Sequence, residues 1–239
     1  CYLLQQKLKS HKVGRDKLFS ILRVNNLLIQ PRKQYRKTTD SKHWLKKHKN
    51  LVEDMEVTKP EQLWVADITY IPTRQGHSYL SLVTDAYSKQ IMGYHLSESL
   101  STEGCLKALD MAIKARKYDH ELVHHSDRGL QYCSEAYQLM LRTAAIKPSM
   151  TEQYDPYQNA VAERVNGILK DEFDLERGFA QHLEAVQVIK ESVAIYNQLR
   201  PHLSCGYLTP EQMHRQQDRK LIKWKKKTSK AKALEVQVK

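Results

Sequence analysis

The sequence predicts an α/β fold in which helices pack against the faces of a mixed β-sheet. Residues 63–95 contain three segments of alternating or continuous apolar residues, separated by short turn-like stretches. Such short connections favour antiparallel strands, because the chain reverses direction within a few residues. From residue 101 onward, segments with helical periodicity alternate with short apolar runs. This alternation adds further strands, with helices that cover the sheet.

Each element is predicted from its own pattern. The four clearest strands cover residues 63–71, 79–84, 90–95 and 122–125. The first two turns fall at residues 74–76 and 86–88. A helix opens at Ser101, where Ser-Thr-Glu is a common helix start, and a second helix covers about residues 135–144. A brief apolar stretch at Ile146 precedes a loop, and Asn159 is the predicted N-cap of the helix that follows.

Composition excludes several classes of protein. The chain has 239 residues, of which 41% are hydrophobic, and no apolar run approaches the length of a membrane span, about 18 residues. The four cysteines, at positions 1, 105, 133 and 205, form no CxxC pair, so neither a disulfide framework nor a zinc ribbon is expected. The chain starts at Cys1 with no charged-then-apolar leader, which predicts a fragment or an internal reading frame without a secretory signal. We expect a cytoplasmic, nucleoid-associated protein.

Charge is distributed unevenly along the chain. The net charge is +12, and it divides into +10 for residues 1–60, −5 for residues 61–200 and +7 for residues 201–239. Lys and Arg also solubilise ordinary surfaces, so a basic composition alone leaves that explanation open. Cationic flanks around an acidic centre favour a nucleic-acid enzyme, because carboxylates bind the metal ions and cations bind the phosphates.

The same pattern divides the chain into four regions. Residues 1–30 form a helix-turn-helix-like region that lacks its N-terminal partner, residues 31–59 a basic linker, residues 60–215 the catalytic core with its C-terminal helices, and residues 216–239 a basic tail. In the first region, Arg15 and Lys17 lie on the polar side of the second helix and are candidate DNA contacts. A plain helical hairpin fits this region nearly as well. In the tail, Lys225 and Lys226 adjoin Trp224, which suits contact with a DNA backbone, although a disordered solubilising tail is an alternative.

Two aspartates lie at positions of the predicted sheet where a negative charge is unusual or suggests a function. Asp67 lies in the middle of the first predicted strand, where an unpaired buried carboxylate would cost several kcal/mol. Asp127 follows the fourth strand directly, at the kind of strand end where α/β sheets place functional groups. Taken alone, each also fits a structural role as a turn, a cap or an ion pair.

Glu163 is the third candidate carboxylate, on the helix that follows Asn159. At about 100° per residue, Glu163, Asn166 and Lys170 fall on one side of this helix, opposite the apolar residues. A solvated helix face is the plain alternative. Three carboxylates from a strand centre, a strand end and a helix can instead converge on two divalent cations, since Mg²⁺ prefers oxygen ligands.

Five segments resemble those of a known family. They read WVADITYI, VTDAYSKQIMGYHL, HHSDRGLQY, SMTEQYDPYQNAVAERVNGILKDEF and YNQLRPHLSCGYLTPEQM. In this order, over about residues 60–215, they resemble the DDE transposases of bacterial insertion sequences, and more narrowly the second-frame product of insertion-sequence family three, relatives of retroviral integrase. Many relatives have Gly where Tyr154 stands and Asp or Glu where Gln158 stands, which affects the loop before the Glu163 helix.

The resemblance implies an RNase H-like fold with a five-stranded mixed sheet and Asp67, Asp127 and Glu163 as catalytic ligands of two Mg²⁺ or Mn²⁺ ions. It implies cleavage at element ends and strand transfer, without a covalent protein intermediate. The implied partners are DNA (terminal inverted repeats and target), further copies of the chain in a homo-oligomer, and an upstream-frame protein. No membrane partner is expected. The full set of expected DNA contacts is Lys170, Asn166, Arg128, Arg15, Lys17, Arg200, Lys225 and Lys226.

Three further groups have plainer interpretations. His124 and His125 are expected to be core residues of a strand rather than catalysts, and Asp85 a structural turn residue. Arg200 positions either DNA or the last helix. Two other functions stay open at this point: a hydrolytic nuclease of the same fold, which cuts without joining, and a domesticated, catalytically inactive DNA-binding protein.

Overall fold

The structure is a computed structural model, and it describes residues 6, 8, 11, 13–28, 44–152 and 159–217. Near the N-terminus, helix α1 (Arg15–Val24) matches the second of the two predicted helices, with Leu18 and Leu22 buried. The first predicted helix lies largely outside the described residues, as does the basic tail from residue 218. The helix-turn-helix assignment therefore stays a prediction.

Five strands form one mixed sheet. They are β1 (Leu63–Thr73), β2 (Gly76–Asp85), β3 (Ile91–Ser97), β4 (Val123–Ser126) and β5 (Lys147–Met150). Their order across the sheet is β3-β2-β1-β4-β5. The first three strands pair antiparallel, whereas β4 pairs parallel with both β1 and β5. The predicted meander is confirmed, and the apolar stretch at Ile146 leads directly into the fifth strand.

Helices pack on both faces of this sheet. They are α2 (Thr102–Ala115), α3 (Leu130–Cys133), α4 (Glu135–Thr143), α5 (Ala160–Glu172), α6 (His182–Gln198) and α7 (Pro210–His214). Helix α2 begins after Ser101, and α5 begins after Asn159, as predicted. The Asn159 side chain, however, makes no capping hydrogen bond and instead donates to the Ala66 carbonyl on β1 (3.2 Å). Asn159 therefore ties α5 to the sheet.

Strand alternation sends neighbouring residues into two different apolar clusters. Val83 packs with α2 and α4 on one face, whereas the adjacent Leu82 packs with α5 and α6 on the other. Each large side chain buried in this way contributes about 1.5–3 kcal/mol. Gly93 on β3 lets α2 lie directly on the sheet, because a Cβ there would overlap the backbone oxygen of Ala108.

The two histidines of β4 are buried and hydrogen-bonded. His124 Nε2 pairs with the Tyr137 hydroxyl, and His125 Nδ1 pairs with the Ser149 hydroxyl, both at 2.9 Å. Burial lowers the pKa of His124 to about 3, so its ring is neutral at physiological pH. Both residues are part of the core, which is the interpretation that the sequence favoured over direct catalysis.

We expect the Tyr137→Phe substitution to lower the free energy of unfolding by about 1–2 kcal/mol, since it leaves the buried His124 nitrogen without its partner. Urea titration followed by circular dichroism measures this loss. Tyr79→Phe removes a hydroxyl from a half-buried ring on β2 and is the matched control, with an expected change within about 0.5 kcal/mol. Equal losses for the two variants would contradict the role given to the Tyr137–His124 pair.

Asp85 ends β2 and organises the turn that follows. It is fully buried, and its carboxylate accepts hydrogen bonds from the backbone N–H groups of Glu61 and Ser88 (2.7 Å each) and from the Ser88 hydroxyl (2.6 Å). This geometry matches the predicted structural turn.

The turn also connects to the C-terminal helix α7. His214 Nε2 lies 3.0 Å from Glu61 Oε1, and its Nδ1 lies 3.0 Å from the Ser88 hydroxyl and 3.6 Å from Asp85 Oδ1. Backbone N–H groups of Lys117 and of its neighbour also donate to the Glu61 carboxylate. We call the four side chains Glu61, Asp85, Ser88 and His214 the buried ionic network. It fastens α7 to the start of β1 and the end of β2.

Candidate active site

Strand pairing brings Asp67 and Asp127 to neighbouring positions. In the parallel β1–β4 pair, Val65 lies opposite His125. Two residues further along each chain are Asp67, in the middle of β1, and Asp127, directly after the end of β4. Since parallel strands keep their register, the two carboxylates lie at the same edge of the sheet. This juxtaposition was predicted from the sequence only as a convergence, without the register that produces it.

The environment of Asp67 disfavours its charged form. Burial is the largest effect that raises its pKa, the charge of Asp127 is the next, and together they bring the value to about 8. Hydrogen bonds from the Ile68 backbone and the Asn166 side chain act in the opposite direction, and Glu163 adds a smaller increase. The Asp67 carboxyl therefore keeps a proton near neutral pH unless a cation offsets the neighbouring charges.

Helix α5 faces this pair with two residues of its polar stripe. Glu163, in the first turn, is half-buried, and burial raises the pKa of its carboxyl. Asn166, about one turn later, is only 6% exposed and donates from Nδ2 to Asp67 Oδ2 at 2.7 Å. Asn166 was predicted to contact DNA. That contact stays a prediction, and in the structure the Asn166 amide supports the carboxylate of Asp67.

The oxygen atoms around Asp67 fit a hard divalent cation. Asp67 and Asp127 supply carboxylates, and the buried Asn166 Oδ1 has no hydrogen-bond partner within the described part of the chain. Such oxygen donors are those that Mg²⁺ and Mn²⁺ prefer. Within residues 44–152 and 159–217, however, no three His, Cys, Asp or Glu side chains are arranged as a ready-made metal cluster. The structure thus brings two of the three predicted carboxylates together and leaves Glu163 nearby.

The loop after β4 orients Asp127. Its Oδ1 accepts a hydrogen bond from the Gly129 backbone N–H at 2.9 Å, and a Cβ on Gly129 would lie only 3.0 Å from that same oxygen. A side chain at position 129 would therefore press on the carboxylate. This glycine was not identified from the sequence, although its place two residues after a strand-end aspartate is a recognisable turn signal.

The other predicted DNA contacts are scattered over the chain. Arg15 and Lys17 are exposed on α1, while Arg128, beside Asp127, and Lys170, in the last turn of α5, are half-buried. Lys225 and Lys226 lie outside the described residues.

Arg200 is held by an ion pair. Its guanidinium donates two hydrogen bonds to the carboxylate of Glu172, at 2.6 and 2.5 Å. Since Glu172 ends α5 and Arg200 follows α6, this bidentate pair joins the two helices. The geometry fits the helix-positioning alternative, and the DNA contact stays a prediction.

Comparisons of the sequence identify relatives over most of the chain. Two family models described as Integrase core domain match residues 57–156 and 144–210. The insertion element IS600 31 kDa protein of Shigella sonnei is 36% identical over 200 residues, which cover 83% of this chain and 74% of that protein. The transposase InsF of insertion sequence IS3fB from Escherichia coli K12 is 32% identical over 201 residues, covering 82% of this chain and 68% of that protein.

Similar solved structures come from retroviruses. The HTLV-2 integrase catalytic core domain, solved in complex with magnesium, superposes with a TM-score of 0.52 at 20% identity and covers 65% of this chain and 97% of that one. A chain of the simian T-cell lymphotropic virus intasome, in complex with PP2A regulatory subunit B56 gamma, gives 0.57 at 19% identity, covering 95% of this chain and 76% of that one. These similarities establish the fold.

The fold and the paired acidic residues define an RNase H-like protein of the integrase and transposase class. Within that class, the chain belongs to the IS3 family of insertion-sequence transposases. In the described residues, no helix combines the length and apolar character needed to cross a membrane.

Proposed function

We propose that this chain cleaves the ends of an insertion sequence and joins the freed 3′-hydroxyl to target DNA, using Asp67, Asp127 and Glu163 to hold two Mg²⁺ or Mn²⁺ ions. The observation that carries the proposal is the approach of Asp67 to Asp127 across the β1–β4 pair. Two repelling carboxylates in a partly buried place are costly for the fold, which favours a role in binding cations.

The neighbouring residues have supporting roles in this proposal. Asn166 and Gly129 each donate a hydrogen bond to one of the carboxylates, so the ligand oxygens are oriented before DNA arrives. Bound Mg²⁺ would activate the attacking oxygen and stabilise the leaving oxygen of an in-line phosphodiester displacement. Lys170 and Arg128 lie on the two elements that carry Glu163 and Asp127, where they are suited to bind the phosphates beside the reacting bond.

The terminal regions extend DNA binding away from the site. Arg15 and Lys17 expose positive charge on α1, and Lys225 and Lys226 add charge in the tail. Such contacts neutralise phosphates independently of base sequence. We further propose that the active form is a homo-oligomer that holds both element ends together with target DNA, assisted by an upstream-frame protein.

The Asp127→Asn substitution is expected to abolish end cleavage in Mg²⁺, with a loss of at least about 1,000-fold, since it removes ligand charge worth several kcal/mol in the transition state. DNA affinity should change by less than about twofold, because one half-buried carboxylate at the end of a strand contributes little to phosphate binding. Labelled duplexes that carry the inverted repeats flanking the coding region report cleavage and joining on denaturing gels. Asp119→Asn, on an exposed residue, is the matched control.

The same assay separates the alternatives. Cleavage retained by Asp127→Asn would remove this residue from the site. Cutting without joined products in the wild type would favour a hydrolytic nuclease, and binding without either reaction would favour an inactive DNA-binding protein.

Truncation after Gln217 tests the tail. It removes seven net positive charges, counting residues 218–239, so binding should weaken and the slope of log affinity against log salt should flatten. Fluorescence anisotropy at several salt concentrations measures both. A full-length variant with Lys225→Gln and Lys226→Gln should show a smaller change in the same direction, and an unchanged slope in the truncated chain would show that the tail does not touch phosphate.

A further inference from the structure

A short cationic segment of the linker carries an unusually exposed tryptophan. Trp44 is 92% exposed, more than any other large apolar side chain of the described residues. Lys46, Lys47 and Lys49 are exposed as well, whereas Leu45, between Trp44 and Lys46, is partly buried. We call the four outward side chains Trp44, Lys46, Lys47 and Lys49 the Trp–Lys strip. A tryptophan left in water forgoes the large contribution that its burial makes, so its position calls for an explanation.

The segment that carries the strip is attached to the edge of the sheet. The Met150 backbone N–H donates to the Lys49 carbonyl at 3.3 Å, and the Leu51 N–H donates to the Ser149 hydroxyl at 2.9 Å. Leu45 packs against the apolar cluster between the sheet and α2. The basic linker predicted from the sequence is thus docked on β5 in this part.

Sheet register places the Lys49 end of the strip near the candidate site. Lys49 is bonded to Met150, and Met150 pairs with Ser126, the residue directly before Asp127. With about 4.8 Å between neighbouring strands, the Lys49 backbone lies two strand spacings, ~10 Å, from Ser126. This is a distance that one or two nucleotides of an extended strand can span.

Electrostatics indicate the same location. Burial raises the pKa of the Cys133 thiol to about 11, the charge of Asp127 raises it too, and Lys47 and Arg128 lower it. Because these effects fall off with distance, the three charged side chains lie in the neighbourhood of the same thiol. The strip therefore brings positive charge to the rim of an acidic site whose own carboxylates repel phosphate.

We infer that the Trp–Lys strip binds an unpaired stretch of DNA strand next to the reacting phosphodiester, with a base stacked on Trp44 and phosphates on Lys46 and Lys47. The inference rests on the proposed function, because it assumes that DNA enters the site of Asp67 and Asp127. Aromatic stacking and backbone cations together are the chemistry of single-strand binding. In a fully paired duplex the base faces are already stacked, so only an unpaired base can use Trp44.

The test compares two DNA ends with the full chain in EDTA, where no cleavage occurs. One labelled duplex is fully paired, and the other has three mismatched pairs at the end. Trp44→Leu is expected to weaken binding to the mismatched end about tenfold while binding to the paired end stays within about twofold. Trp44→Phe, which keeps an aromatic face, should retain most of the affinity. Leu183→Ala removes another exposed apolar side chain, on α6, and should change neither.

Three results would overturn the inference. These are unchanged affinity of Trp44→Leu for the mismatched end, equal losses for both DNA ends, and a change in oligomeric mass that points instead to a second copy of the chain on the strip. Melting temperatures verify that the variants are folded. If the inference about the strip is wrong, the wild type still cleaves DNA in Mg²⁺. If the proposed function is wrong, the wild type binds the mismatched end but does not cleave DNA in Mg²⁺.

Discussion

Replacing Asp67 by Asn is expected to make the protein more stable and catalytically inactive at the same time. Cleavage should fall by at least about 1,000-fold, because a proposed metal ligand is lost. The Asn166 amide can still donate to the oxygen of the new side chain, so local geometry is kept. The stability gain arises because the carboxylate of Asp67 is half-buried and lies near another negative charge.

The raised pKa of Asp67 makes the stability of the folded protein depend on pH. The pKa of Asp67 is about 8 in the folded chain and near its ordinary value of 3.8 when unfolded. Between these values the folded state holds a proton that the unfolded state releases, so the stability of the wild type falls as pH rises from about 4 to 8. The advantage of Asp67→Asn should therefore be absent at pH 4 and largest above pH 8, on the order of 2–4 kcal/mol.

Thermal melts in EDTA between pH 4 and 9 measure this advantage. The Asp119→Asn variant, exposed on the surface, controls for loss of one negative charge. Added Mg²⁺ should stabilise the wild type more than Asp67→Asn, since binding to the folded state alone shifts unfolding. A wild type and an Asp67→Asn variant that melt alike at every pH would show that Asp67 is not under the electrostatic stress described.

Removing the imidazole of His214 is expected to have the largest effect on stability. His214→Leu removes the cation that the buried carboxylates of Glu61 and Asp85 share, while Arg116 stays 4.0 Å from Glu61. Breaking a buried ion pair in this way typically costs about 3–5 kcal/mol. Although burial lowers the pKa of His214, hydrogen bonds and charges from Asp85 and Glu61 outweigh it and raise the value to about 9. The ring is thus charged in the folded protein near neutral pH.

The raised pKa of His214 determines how the stability of the folded protein changes with pH. The ordinary pKa of histidine is 6.5, so the network contributes its full stabilisation below that pH and loses it as pH rises through about 9. Chemical denaturation at pH 6 and pH 9.5 measures the difference. His77→Ala alters an exposed ring at the β1–β2 hairpin and should leave the pH profile unchanged. A His214→Leu variant with the wild-type profile would contradict the charged state of the network.

Much of the architecture followed from local patterns. Alternating or continuous apolar runs predict β1 to β4, because the side chains of a strand are selected by which of them must be buried. Helical spacing predicts α2, α4 and α5, with start signals at Ser101 and Asn159. Features that leave no such pattern cannot be predicted in this way. The four-residue helix α3 is too short for a periodicity, and the side chain of Asn159 bonds to Ala66 on a distant strand instead of to its own helix.

The same division applies to the candidate site. Asp67 was selected because a carboxylate in the middle of an apolar strand needs compensation, and Asp127 because it ends another strand. Asn166 lies on the predicted polar stripe, yet its hydrogen bond to Asp67 spans 99 residues of sequence and could not be read from spacing. The sequence leaves Arg200 open between two roles, and its pairing with Glu172 supports the helix-positioning one.

The sequence by itself determined the class of protein, the order of strands along the chain and the three acidic residues that the proposed chemistry requires. Only the tertiary structure decided which of them lie together, that β1 and β4 are parallel neighbours, and that part of the basic linker is docked beside the site. The physical reason is that burial preferences are local and leave a trace in periodicity. Register, hydrogen bonds and charge proximity depend on segments that are distant in sequence and meet only when the sheet has assembled.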